Sequence, residues 1–110
     1  VGAVPSFIKR RTQVQVVKAK TLPVGILQQV EAETFVFPVQ VGDLIINMSD
    51  GVFEVIDGNI DDWCRVIQAL PQDDPQNIAN YLIELARNTL RGKIKDDLTV
   101  LVARIDYRAE

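Results

Sequence analysis

Gly42-Asp43-Leu44-Ile45-Ile46-Asn47-Met48-Ser49-Asp50-Gly51-Val52-Phe53 is the stretch on which the fold turns. From Leu44 to Ser49 the side chains are mostly apolar and do not alternate, so both faces call for cover, as in a central strand between two layers. The run is too short for a long buried helix. It stops at a carboxylate followed by glycine, which puts a charged group at the rim of a rigid strand, within reach of a cation or a substrate. The Asp50-Gly51 pair also reads as an ordinary turn closing a buried strand, since this dipeptide is a common turn former.

Composition bounds what surrounds that strand. A chain of 110 residues with 47% hydrophobic content holds one domain's worth of material, enough to bury about two-thirds of its unfolded surface. No apolar run approaches the roughly 20 residues of a membrane span, and no signal-peptide pattern opens the chain, so a soluble domain is expected. The chain starts at Val1 and runs directly into strand-like sequence, as a fragment or excised domain would.

Histidine is absent, which removes Ser-His-Asp and Cys-His nucleophile activation and the usual His-containing zinc sites. Any metal must then be held by oxygen. Cys64 is the single cysteine, so there is no disulfide within the chain and no cysteine-rich zinc cluster, in keeping with a reducing cytoplasm. A thiol-based phosphate-transfer loop would need arginine six positions after its cysteine, where Leu70 stands. Cys64 reads as packing within a helical apolar pattern.

Charge is uneven. Lys9, Arg10, Arg11, Lys18 and Lys20 crowd the first twenty residues, which hold no acid, although the net charge is −3. Such a segment could meet phosphate or an acidic partner; it also reads as a solvated face whose cations guard a sheet edge. Nucleic-acid binding is not expected, because the net charge is negative and no aromatic stands among the basic residues.

In chain order, Ser6 to Lys9 and Gln13 to Lys20 read as two strands joined by a short hairpin. Leu22-Pro23-Val24-Gly25-Ile26 reads as a structured loop, and Glu31 to Val39 as a strand stopping near Pro38. Beyond Asp50 the period lengthens. Ile60, Trp63, Ile67 and Leu70 recur at helical spacing behind Asp57-Gly58-Asn59, and Pro71 ends the segment. A second helix has Asp74 as N-cap, Pro75 at its first position, Ile78, Ala79, Leu82, Leu85, Ala86 and Leu90 on one side, and Gly92 after its end. Arg87 and Arg91 fall in its last turns, where cations suit the helix dipole. Both helices are expected to pack on a sheet.

Leu98 to Ala103 is again apolar on both faces and reads as a second central strand, with Asp96 and Asp97 just before it. Asp50 ends one strand and Asp96-Asp97 begins the other. Antiparallel pairing would therefore gather these carboxylates at one rim, and an all-oxygen donor set suits a hard ion such as Mg²⁺ or Mn²⁺.

Pro5-Ser6-Phe7-Ile8-Lys9-Arg10, Leu22-Pro23-Val24-Gly25-Ile26, Gly42 to Val52 and Asp96-Asp97-Leu98-Thr99-Val100 stand in the order and spacing of the stage II sporulation protein E phosphatases. The chain resembles that family, a bacterial branch of the metal-dependent type 2C serine/threonine phosphatases, from near Val4 to about Arg104. The resemblance implies an α+β fold: an antiparallel β-sandwich flanked by helices in α-β-β-α layers, with a dinuclear Mn²⁺ or Mg²⁺ site at one edge. It implies Asp50 and Asp96 as metal ligands and catalytic residues, Asp97 in support and Gly51 as a backbone hinge. The implied chemistry is hydrolysis of phosphoserine or phosphothreonine by a metal-activated water, with no covalent phospho-enzyme.

Family domains are longer, and their earlier half carries an Asp-Gly motif whose carboxylate bridges both metals. On that comparison residues 1–110 would be the C-terminal part of one domain, and a poor catalyst alone. The implied partner is a phosphorylated regulatory protein of the anti-anti-sigma-factor type, and the implied location a cytoplasmic domain of a parent with membrane spans upstream. A regulatory or oligomerisation module, with a second copy covering exposed strand edges as a homodimer, is the competing reading. Under either one, the basic hairpin could contact a phosphoprotein.

Overall fold

The computed structural model describes residues 4–18, 38–56, 58–71, 74–93 and 97–107. Strands β1 (Ser6–Arg10) and β2 (Gln13–Val17) form a hairpin across Arg11-Thr12, with Arg11 in the left-handed region at φ 57°. Strand β3 (Leu44–Met48) follows, then a short helix α1 (Asp50–Phe53) that runs into a 3-10 turn at Glu54–Ile56. Helices α2 (Ile60–Ala69) and α3 (Pro75–Leu90) come next, and strand β4 (Val100–Arg104) completes the described elements. The sheet order is β2-β1-β3-β4, with every neighbouring pair antiparallel.

Register decides which side chains share a face. Phe7 pairs with Ile46 and Val16, Ile46 with Val102, and Met48 with Val100. These residues, with Leu44, form one side of a core closed by Val52, by Trp63 and Ile67 of α2, and by Ile78, Leu82 and Ala86 of α3. Helix α3 lies on β4, and α2 lies on the β1–β2 hairpin. The opposite face of the sheet carries Ile8, Ile45 and Ala103 in one row, beside Asn47 and Leu101. On that face the Ser6 hydroxyl bonds to the Asn47 side-chain oxygen.

The helices follow their sequence signals. Asn59 caps α2 by accepting from the amides of Asp61 and Asp62 at 2.9 and 3.3 Å. Asp74 caps α3 through the Asn77 amide, with Pro75 at the first position. Arg91 and Gly92 end α3 with φ of 52° and 78°, a left-handed close in which glycine is unstrained.

Three expectations change. The second strand stops at Val17, with Lys18 outside it, and residues 19–20 of the expected strand lie outside the described residues. The strand expected over Leu98 to Ala103 forms as Val100–Arg104, yet it lies at the edge of the described sheet, where Leu101 is 62% exposed. An apolar run reports side chains that tolerate cover on both faces, and says nothing of whether both backbone edges are paired. Lys9, read with the solvated basic residues, is buried on the core face, level with Leu44. The expected loop Leu22 to Ile26 lies outside the described residues, as do residues 31–37 of the expected Glu31–Val39 strand. Pro38 and Val39 are described and belong to no strand. Among the described residues, one four-stranded sheet stands with its helices on one face, and no helix is long and apolar enough to cross a membrane.

Candidate metal site

The rim is built where β3 gives way to α1. Past Met48 the backbone makes one more bond of the ladder, from the Ser49 amide to the Thr99 carbonyl at 2.9 Å. The Ser49 hydroxyl then donates to the Asp97 carbonyl at 3.1 Å and accepts from the Thr99 amide at 3.0 Å. The Ser49 carbonyl accepts from the amides of Val52 and Phe53 at 3.1 and 2.9 Å, which starts α1. One residue is thus bonded both to the segment that carries Asp97 and to the helix whose first residue is Asp50.

At the far end of this turn, the Trp63 indole donates to the Phe53 carbonyl at 2.9 Å and ties α1 to α2. Trp63 is fully buried, so the helix that carries Asp50 is anchored to the core and does not hang from the strand.

Asp50 and Asp97 are both exposed, at the ends of adjacent antiparallel strands, as the sequence spacing implies. Asp96 lies outside the described residues. Gly51 sits inside α1 and is not among the glycines with positive φ, which are Gly42, Gly58 and Gly92 among the described residues. The hinge expected there is instead helical backbone. Asp50-Gly51 opens a helical turn, because Ser49 supplies two carbonyl bonds that a free Asp-Gly turn would lack.

The donor chemistry of this rim fits a hard divalent ion, since carboxylate and carbonyl oxygen are the ligands such ions take. Among the described residues no group of three or more acidic, cysteine or histidine side chains could hold a metal by itself. Asp50 and Asp97 are the described carboxylates at this rim.

The opposite end of β3 carries different chemistry. The Arg10 guanidinium makes a two-pronged pair with Asp43, Nε to Oδ1 at 2.9 Å and Nη2 to Oδ2 at 2.8 Å, and the Gln40 amide adds a third donor at 2.8 Å. The Arg10 hydrogen bonds hold the Asp43 carboxyl below its ordinary value against the opposing effect of burial. The same hydrogen bond raises Arg10. Lys9 points its ammonium at the last turn of α2, donating to the carbonyls of Ile67 at 2.6 Å and Gln68 at 3.0 Å. Burial lowers its pKa.

These residues lock the hairpin to β3 and to α2. The five residues of β3 separate Asp43 from Ser49, six steps that span about 20 Å, so Arg10 and Arg11 stand far from the acidic rim. Cys64 is half-buried, and burial first, then Asp61, push its thiol up, which keeps it protonated.

Ser49 is the residue that sequence reading passed over. It was visible as the polar end of the Leu44–Ser49 run, but its bonds to residues 97 and 99 depend on strand register, which the sequence does not display. Lys9 had a signal: it is two residues from Phe7, so in a strand the two share a face.

Residues 1–106 match the family model described as Stage II sporulation protein E (SpoIIE). The chain is similar to the stage II sporulation protein E of Bacillus subtilis (strain 168), at 46% identity over 97% of this chain and 13% of that protein. It is similar to the Priestia megaterium protein of the same name at 40% identity, over 97% of this chain and 19% of that one. Among solved structures, the Mn-presoaked phosphatase domain of the cell fate determinant SpoIIE from Bacillus subtilis superposes with a TM-score of 0.78 at 42% identity, over 100% of this chain and 50% of that one. The PP2C phosphatase domain of the same protein with a fragment of its regulatory domain gives a TM-score of 0.82 at 45% identity, over 98% of this chain and 34% of that one. The chain therefore spans a small part of its curated relatives and about half of a solved phosphatase domain, whose α+β fold it matches.

Proposed function

Because the chain belongs to the stage II sporulation protein E family, we propose that it forms the C-terminal part of a type 2C phosphatase domain, in which Asp50 and Asp96 hold one side of a Mn²⁺ or Mg²⁺ site. The activity is hydrolysis of phosphoserine or phosphothreonine in a regulatory protein of sporulation or sigma-factor signalling, of the anti-anti-sigma-factor type. The observation that carries this reading is the pairing of Met48 with Val100, continued by the Ser49 bonds to residues 97 and 99, which brings Asp50 and Asp97 to one rim.

When bound, a divalent ion activates water and offsets the charge that develops on a transferring phosphoryl group. The residues of this chain hold and orient. Asp50 presents its carboxylate from a helix start that Trp63 anchors, Gly51 leaves the space beside it clear of a side chain, and Asp97 supports Asp96. Cys64 stays protonated and the chain has no histidine, which is consistent with hydrolysis by activated water without a phosphocysteine or phosphohistidine intermediate. The 110 residues by themselves are a poor catalyst on this reading, because a bridging carboxylate would come from the earlier part of the domain.

The test is Mn²⁺-dependent phosphate release from a phosphoserine protein, with the protein at its native length. Asp50→Asn is expected to lose about 100-fold or more, since removing a ligand costs at least as much as removing a group behind one. Unchanged turnover in Asp50→Asn would overturn the assignment. A second reading is an oligomerisation module. A module would tolerate neutral replacement of Asp50 and Asp96 together, and an enzyme would not.

A further inference from the structure

The tip of the β1–β2 hairpin departs from what a tight turn asks for. Arg10 pairs with Gln13, so Arg11 and Thr12 are the two residues of the turn, and of these only Arg11 has a positive φ, at 57°. Glycine leads at such a position because it adopts that backbone without strain. An arginine stands there instead, and residues held in sparsely populated backbone regions cluster where ligands are gripped. Arg11 is exposed and makes no ion pair among the described residues.

Its neighbour Arg10 is fixed in place. Nε and Nη2 are bonded to Asp43 at 2.9 and 2.8 Å, which leaves the Nη1 edge without a partner among the described residues, on a side chain that is 41% exposed. Asp43 is 1% exposed, and its oxygens already take three donors. A guanidinium held from behind by a buried carboxylate loses little freedom when a second anion arrives in front of it.

The two arginines border one open cleft of about 560 Å³, with Thr12, Gln40 and Val41 among its other walls. That volume falls within the roughly 300–1,000 Å³ of ligand sites, which is room for several side chains. Asp43 is the single acid in the walls, and Val41, 48% exposed, adds an apolar surface beside the guanidiniums. Cationic edges next to an apolar wall suit a peptide segment better than a lone inorganic ion.

We propose that this cleft docks an acidic segment of a partner protein, with Arg11 gripping one carboxylate and Arg10 presenting Nη1 to a second. The site uses no residue of the acidic rim and lies at the other end of β3, about 20 Å away. It therefore does not depend on the metal site proposed above.

Fluorescence anisotropy of a labelled octaglutamate peptide, titrated at low salt with the protein at its native length, tests this. Arg11→Gly removes the side chain and suits the turn, so it is expected to melt no lower than wild type. Its peptide binding is expected to be weaker by about fivefold, while Arg87→Gln, which removes the same charge from the exposed surface of α3, leaves binding unchanged. Equal weakening in both variants would mean general charge attraction and would sink the docking site. Undiminished binding in Arg11→Gly, or no binding by wild type, would overturn it outright. Inorganic phosphate at the concentration of the peptide is expected to leave the peptide bound; full displacement would make this a site for a free anion and not for a protein partner.

Discussion

Asp43 has 1% of its side-chain surface exposed and receives three donors, two from Arg10 and one from the Gln40 amide. A carboxylate so placed is stabilised as the anion, and its pKa lies below the 3.8 of an unconstrained aspartate. Below pH 3.8 the unfolded chain then binds a proton that the folded chain resists. The contribution of the pair is present in full above that value and is lost as pH falls through the lowered folded pKa. Asp43→Asn removes the titration. The stability difference between wild type and Asp43→Asn is expected to be constant from pH 7 to about pH 5 and to shrink toward pH 2, as followed by urea unfolding at each pH. A difference that stayed flat down to pH 2 would sink this account. Lys9 shows the complementary solution for a buried cation, an ammonium closing the last carbonyls of a helix. Counting charges along the chain placed Lys9 and Arg10 in a solvated patch. Strand parity put Lys9 on the core face, and Asp43 claimed Arg10.

At the scale of elements, Trp63 joins the site to the core. Its ring is fully buried within α2, and its indole N–H satisfies the Phe53 carbonyl where α1 passes into the 3-10 turn. Trp63→Phe keeps an aromatic ring but leaves that carbonyl without its donor, and should cost about 1–3 kcal/mol. Denaturant unfolding reads this as a lower midpoint with the slope unchanged; an unmoved midpoint would mean that the bond holds nothing. Helices α2 and α3 were legible in the sequence because Ile60, Trp63 and Ile67, and Ile78, Leu82 and Ala86, repeat at the helical period between caps that carry their own chemistry. The central strand β3 was legible because Leu44 to Met48 tolerates cover on both faces. Helix α1 was not, since Asp50-Gly51 is a turn signal by local propensity and its helical start depends on carbonyl bonds from Ser49. The edge position of β4 was not legible either, because Val100 to Ala103 has the same composition whether or not its outer backbone is paired.

For the whole molecule, the distance between Asp50 and the Asp97 segment is set by elements far apart in the chain: β3, β4, and the helices that cover one face of both. An ion closing on that rim, as proposed, would tie β3 and α1 to β4, and so would bind the folded chain with no counterpart in the unfolded one. Such a ligand stabilises by RT ln(1 + [L]/Kd), about 2.7 kcal/mol at a hundredfold excess over Kd. For a domain of this size each kcal/mol moves the melting temperature by about 4–8 °C, so saturating Mn²⁺ should raise it by about 10–20 °C. On the proposed site, Asp50→Asn and Asp96→Asn are each expected to remove the shift, whereas Asp97→Asn, proposed only to support Asp96, should keep most of it. Scanning calorimetry with and without millimolar Mn²⁺ reads all four proteins on one scale. Equal shifts in wild type and Asp50→Asn would place the ion elsewhere and leave the acidic rim as strand ends alone. A shift lost in both Asp50→Asn and Asp96→Asn would assign both carboxylates to one ion.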